Sequence, residues 1–256
     1  MSTNIEVNKD KTSKNSEIVL KNKDASENSA IKKSGFTANI SDEILEELVN
    51  LNGKLEKIKI PAGGGTSFEF PNFENADETI PVKEFSAVIL YHHPISIYYA
   101  QDYDGTVVSP DCISFDETIG IGNPGELCKN CSFNIFGSGK NGGKACKAKI
   151  QLYILCENAL FPMSILLPTS SIKSFQNYIR RLLYQGKKLN SLITKFSLKR
   201  VLNKKGTPYA QSCFSAIREL EPAEFDVIKK LIEKIKNFAE EAKKNGVQVS
   251  NETKGN

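Results

Sequence analysis

No stretch of the 256-residue chain is apolar over the roughly twenty positions that a helix needs to cross a bilayer. The opening MSTNIEVNKDKTSKNSE, scattered with lysines and acids, contains no apolar core of the kind that exports a protein. These two absences point to a soluble intracellular chain. There is also no internal repeat, which sets solenoids and propellers aside. What is present is a hydrophobic fraction of 39 %, enough for a substantial core once the polar ends are discounted.

Charge is sorted along the chain. Residues 1–126 hold 11 basic and 21 acidic side chains, whereas 127–218 hold 16 basic ones and a single acid, Glu157. A solvated surface needs charge but not one sign, and self-repulsion opposes the concentration. A polyanionic partner is the simplest compensation, because each phosphate contact also releases counterions. The alternative is that the basic region docks on the chain's own acidic part.

The first 38 residues are polar and read as an arm without a core face. Order is expected from a helix capped by Ser41, through strands at LEKIKIP and SFEFP separated by Gly63, Gly64 and Gly65. VKEFSAVILYHHPISIYYA reads as a long strand, a turn or bulge at Pro94, and another strand. Residues 101–149 are loop-like and need a substitute for a core. IQLYILC and FPMSILLP form a hairpin pair, residues 170–185 a helix stopped by Gly186, LITKFSLKRVL and YAQSCFSAIREL a second hairpin, and 222–244 a final helix before a polar tail. The main domain would then span 39–220, including 101–149 as an insertion, with the C-terminal helix at 221–245 and a flexible tail at 246–256. The fold class this order suggests is mainly β with added helices, a closed or nearly closed barrel.

Cys112, Cys128, Cys131 and Cys146 have the spacing C-x15-C-x2-C-x14-C. The close pair can grip one face of an ion and the two single cysteines the other, and four thiolates suit one tetrahedral zinc. Such an ion would supply the folding energy that residues 101–149 otherwise lack. Ordinary buried cysteines and a redox or iron-sulfur use are the alternatives. His92 or His93 can in principle replace one thiol. Cys156 and Cys213 lie in apolar strands and read as small core residues. Four thiolates leave no open position, so a catalytic zinc is disfavoured.

Two enzyme signals are weak. GSGKNGGKA has Gly137 and Gly142 at phosphate-loop spacing, but Gly143 and Lys144 follow where Lys and Ser or Thr are required. Asp102, Asp104, Asp111, Asp116 and Glu117 are the acids a metal-dependent nuclease would draw on, though they form no recognised motif.

The densest basic series includes Lys173, Arg180, Arg181, Lys187, Lys188, Lys195, Lys199 and Arg200, with Lys140, Lys144 and Lys147 among the cysteines. Such a series can track a phosphodiester backbone, and exposed aromatics can stack bases. Phe133 and Phe136 are the preferred platforms, although Phe133 serves equally well as a cover for the metal site. Tyr98 and Tyr99 point to opposite faces if extended. The chain shows no helix-turn-helix or paired-finger pattern, which disfavours duplex DNA.

LEKIKIPAGGGTSFEFP, VILYHH, SPDC, CKNCSFNIFGSG, GKACKAKIQLYIL and TKFSLKR followed by YAQSCF together resemble bacteriophage-encoded single-stranded DNA-binding proteins with a zinc-containing oligonucleotide-binding barrel. That resemblance implies single-strand binding in phage replication or recombination, without catalysis, in the cytoplasm of a bacterial host and beside replication proteins. By the same resemblance, Cys112, Cys128, Cys131 and Cys146 hold the zinc. The nearly neutral end VQVSNETKGN departs from the acidic tails of many such proteins. A basic protein-interaction module and a nuclease or nuclease subunit remain the competing readings.

Overall fold

The computed structural model describes residues 55–75, 77–101, 109–140, 142–203 and 205–245, the side chains of 242, 244 and 245 excepted. The expected arm, the helix at Ser41 and the tail beyond 245 lie outside these residues. The order is β1 (Lys57–Ile58), β2 (Phe68–Pro71), β3 (Thr79–Val82), β4 (Glu84–Tyr98), β5 (Cys112–Ser114), β6 (Ile121–Gly122), β7 (Lys147–Cys156) and β8 (Met163–Leu167). Helix α1 (Thr169–Tyr184), β9 (Leu192–Leu202), β10 (Pro208–Glu219) and helix α2 (Pro222–Asn245) complete it.

Eight strands form one mixed sheet along the path β1-β8-β7-β4-β5-β6, with β9 branching from β4 and β10 pairing β9; β2 and β3 form a separate hairpin. The sheet curls into a half-barrel with two added helices, coarsely like an oligonucleotide-binding fold. Its pivot is β4. One edge of β4 pairs with β7 from Ala87 to Ile97, while the other pairs with β9 from Glu84 to Val88 and with β5 from Ser96 to Tyr98.

Contrary to the expected interruption, β4 runs straight through Pro94, and the register with β7 shifts earlier, between Ile89 and Tyr91. Pro94 falls between the β9 and β5 pairings, where β4 has a partner on one edge only and a missing N–H is tolerated. The shift after Ile89 increases local bending and lets one strand serve two neighbours.

Alternation along β4 and β7 sends Ala87, Ile89, Ile150, Leu152 and Ile154 to the inner face, where Phe175, Tyr178 and Leu182 of α1 meet them. Val88, Leu90, Tyr153 and Leu155 face outward, where Ile228, Leu231, Ile232, Ile235 and Ala239 of α2 cover them. Each fully buried aliphatic contributes about 1.5–3 kcal/mol. A third cluster, Ile95, Ile97, Ile113 and Phe115, anchors the base of the cysteine-rich insertion. The loop-like segment thus carries two short strands, and its Ile113 and Phe115 pack on Ile95 and Ile97 of β4.

Side chains of α1 help seal β10. The Ser170 hydroxyl donates to the Ala210 carbonyl (3.3 Å), the Gln211 amide donates to the Ser170 carbonyl (2.8 Å), and the Ser212 N–H donates to Ser171 Oγ (2.9 Å). The glycine turn also packs here: Gly64 has φ +82°, and a Cβ on it would lie 3.0 Å from Pro208 Cβ. At α2, Pro222 occupies the first helical position, and the buried Glu224 carboxylate accepts from the Glu221 N–H (2.8 Å) and from both terminal nitrogens of Arg218 (2.7 and 2.8 Å).

His93 joins the insertion base to the sheet. It is 3 % exposed, its Nδ1–H donates to the carbonyls of Phe115 (2.9 Å) and Pro94 (3.0 Å), and Nε2 accepts from the Tyr153 hydroxyl (3.4 Å). Burial above all holds its pKa below the ordinary 6.5; the Pro94 carbonyl opposes this and the Lys243 ammonium reinforces it. Burial likewise lowers the pKa of His92. Below the unfolded value the unfolded chain binds the proton more readily, so the stabilisation present at neutral pH is lost as pH falls. Melting curves between pH 8 and 5 should show stability declining from about pH 6.5 downward. A His93→Gln variant should show a shallower decline; an unchanged slope would remove His93 as its source.

Candidate metal centre and basic rim

The four expected cysteines line one pocket, together with Ser96, Tyr98, Phe133 and Glu126. Strand β5 supplies Cys112, the turn before the short 3-10 segment Ser132–Asn134 supplies Cys128 and Cys131, and Cys146 immediately precedes β7. All six cysteines of the chain are free thiols. Burial and the neighbouring Cys128, Cys112 and Cys131 push the Cys146 thiol up to about 11, which places the four groups within one electrostatic environment. Burial also raises Cys131. Four thiols are the donor set of a closed tetrahedral zinc site. As they stand, no three Cys, His, Asp or Glu side chains among the described residues are arranged to hold an ion.

The walls of this pocket explain residues that motif reading passed over. Asn134 donates to the Cys128 carbonyl at 2.8 Å and ties down the turn carrying the close pair. Gly120 is buried, and a Cβ there would stand 2.6 Å from Cys112 Sγ, so only glycine leaves that thiol its place. Phe133 stacks on Tyr98 with ring centroids 4.1 Å apart and is partly buried against the pocket, in the covering position. Neither Asn134 nor Gly120 stands out by spacing alone.

Phe136 behaves differently. It is 79 % exposed, with the Lys144 ammonium 5.3 Å from its ring centroid, a cation–π arrangement on an open surface. Lys144 also donates to Asn134 Oδ1, and Lys147 donates to the Lys144 carbonyl. The glycine loop between them folds on itself: Gly137 N–H reaches the Gly142 and Gly143 carbonyls, and Gly139 N–H reaches Gly143. The Ser138 and Gly142 amides likewise turn inward, to the carbonyls of Ile135 and Gly139.

A chain of short contacts gathers the basic elements at one rim. Thr169 Oγ1, opening α1, donates to Ala148 at the start of β7 (2.6 Å), two residues after Cys146. Ser170 and Ser171 then hold the start of β10, and Pro208 and Arg200 at the β9–β10 hairpin flank Gly64. Lys147 precedes Ala148, Lys173 lies one turn into α1, and Lys199, Arg200 and Lys205 belong to the β9–β10 hairpin; all five are exposed. Lys140 and Lys144 belong to the insertion.

The remaining expected contacts lie elsewhere. Lys187 pairs with Glu219 at 3.0 Å and Lys195 with Glu84 at 2.8 Å. Arg180, Arg181 and Lys188 are exposed along or just after the later part of α1, away from the helix start that meets β7.

The described acids of the insertion are committed locally. Asp111 accepts from the Ala100 N–H, Asp116 from Ser114 and Thr118, and Glu117 from Ser96. Asp102 and Asp104 lie outside the described residues. Cys156 is buried in the inner core, where burial lifts its thiol to about 12, while Cys213 is half-buried. Among the described residues no helix is long and apolar enough to cross a membrane. Comparison of the chain with protein-family models, with curated proteins and with solved structures finds no match.

Proposed function

We propose that this protein binds single-stranded DNA without regard to sequence and without catalysis, at the rim where the insertion, the start of α1 and the β9–β10 hairpin meet. The observation that carries this reading is the exposure of Lys147, Lys173, Lys199, Arg200 and Lys205 on elements that short contacts bring together, with no acid in residues 158–218. Cations so placed suit a phosphodiester chain, and the exposed Phe136 offers a base a stacking surface.

The strand order β8-β7-β4-β9-β10, with α1 between β8 and β9, supports an oligonucleotide-binding barrel. In such barrels the loop between the first two strands and the hairpin between the last two hold the ligand. Here those connections are the cysteine-rich insertion and the β9–β10 turn. Because α2 covers much of the outer sheet face, the rim is favoured over that face for a strand.

One structural zinc on Cys112, Cys128, Cys131 and Cys146 belongs to this proposal. It would cross-link the insertion, and the chain's own groups would do the binding. A role in phage replication or recombination inside a bacterial cell, beside replication proteins, follows from the sequence resemblance. A protein-interaction module is favoured by a different observation, the exposure of Ile119, Ile121 and Leu127 on the insertion.

Fluorescence anisotropy with labelled single-stranded and duplex DNA of equal length separates these readings. Single-strand preference is expected, with log affinity falling against log salt by about 0.7 per phosphate contacted. Folded, zinc-loaded protein that ignores both DNAs at low salt would transfer the assignment to protein interaction.

A further inference from the structure

We propose that the outward stripe of α1, formed by Lys173, Asn177, Arg180 and Tyr184, is a second segment of the single-stranded DNA path, occupied only by strands long enough to leave the rim. This inference rests on the single-strand reading above.

The four positions recur at intervals of four, three and four residues, so they form one line along the helix. That line is diametrically opposite the buried Ser171, Phe175, Tyr178 and Leu182. Lys173, Arg180 and Tyr184 are exposed and Asn177 is half-buried, and none of the four belongs to the core that holds α1 in place. Arg180 donates to Asn177 Oδ1 at 3.1 Å, which keeps its guanidinium along the stripe, and Arg180 itself is exposed.

Tyr184, at 85 % exposure, is among the most exposed large hydrophobic side chains, and its neighbour Leu183 is 65 % exposed. An aromatic ring displayed beside cations at the far end of a basic line is suited to a base following its phosphates. No acid from Asn158 to Arg218 can neutralise the stripe from within its own stretch of chain. A polyanion is thus the partner that its charge favours.

Continuity with the rim selects which polyanion. The helix begins where Thr169 meets Ala148, and Lys173 lies one turn further on. From Lys173 to Tyr184 the helix rises about 16 Å. That length accommodates on the order of three to five phosphates. A strand held between insertion and hairpin can continue onto this face without crossing an acidic surface of α1.

The test is the length dependence of binding by the full zinc-loaded chain. Anisotropy titrations with oligothymidines of about 6 and about 20 nucleotides would compare the unaltered protein with an Arg180→Glu, Tyr184→Ala double variant whose fold is checked by circular dichroism. The expected result is a loss of about tenfold or more confined to the long strand. Equal losses at both lengths, or none at the long one, would overturn the second segment while leaving the rim reading intact. Failure of the unaltered protein to bind either strand would overturn both. A matching loss against duplex DNA would reassign the stripe to duplex binding and overturn its place in a single-strand path.

Discussion

On the zinc reading proposed above, stripping the metal or replacing Cys128 and Cys131 with serine should lower the melting midpoint by about 8–16 °C and detach the insertion from the cooperative transition. The magnitude follows from chain entropy. A metal joining Cys112 to Cys146 closes a loop of 34 residues, and a cross-link of that span removes unfolded-state freedom equivalent to about 4 kcal/mol. For a chain of this size each kcal/mol moves the midpoint by about 2–4 °C. The insertion has little to offset the loss, since it adds only Ile113 and Phe115 to a small cluster with Ile95 and Ile97 of β4 and Leu166 alongside. Metal analysis should first give one zinc per chain. Calorimetry with and without a chelator then reads the effect. Coincident curves, with no metal recovered from the protein as isolated, would return the four thiols to ordinary loop cysteines.

The second large effect is expected at the rim. Phe136→Ala should weaken single-strand binding by about 1–3 kcal/mol, the usual value of one base stacked on an aromatic side chain. Stability should hardly change, because the ring is mostly exposed. Lys199→Glu and Arg200→Glu should each weaken binding and flatten the salt dependence by about 0.7 in log–log slope for each phosphate lost. The two kinds of variant have different signatures. Loss of stacking shifts affinity at every salt concentration, whereas loss of a phosphate contact is greatest at low salt. If Phe136→Ala and Lys199→Glu both bind like the unaltered chain, the strand does not pass between the insertion and the hairpin.

Much of the architecture is legible in local pattern. The apolar spacing of 170–185 announces α1, and the acids before 227 announce the start of α2, where Glu224 becomes a cap as well as a favourable charge. The two hairpins follow from alternation interrupted by turn residues. The curl is not legible, because it depends on β4 exchanging one neighbour for another halfway along its edge, and no short stretch of sequence encodes that choice. Pro94 misleads for the same reason: its cost depends on which edge is paired. The four cysteines can be grouped by spacing, and they do meet at one pocket. The basic residues are only partly separable, since a lysine held by Glu84 or Glu219 looks in sequence like one left to solvent. Phe133 and Phe136, three positions apart in the same loop, have opposite fates that only packing against Tyr98 distinguishes.

The double allegiance of β4 also bears on how the chain is made. Its first half pairs with β9, more than a hundred residues downstream, and its outward Val88 and Leu90 share a core cluster with residues of α2, later still in the chain. A nascent chain therefore carries its central strand with part of one edge open and one apolar face incompletely covered until β9 and α2 have emerged from the ribosome. The bulged, proline-bearing middle of β4 is a poor template for pairing with other chains during that interval.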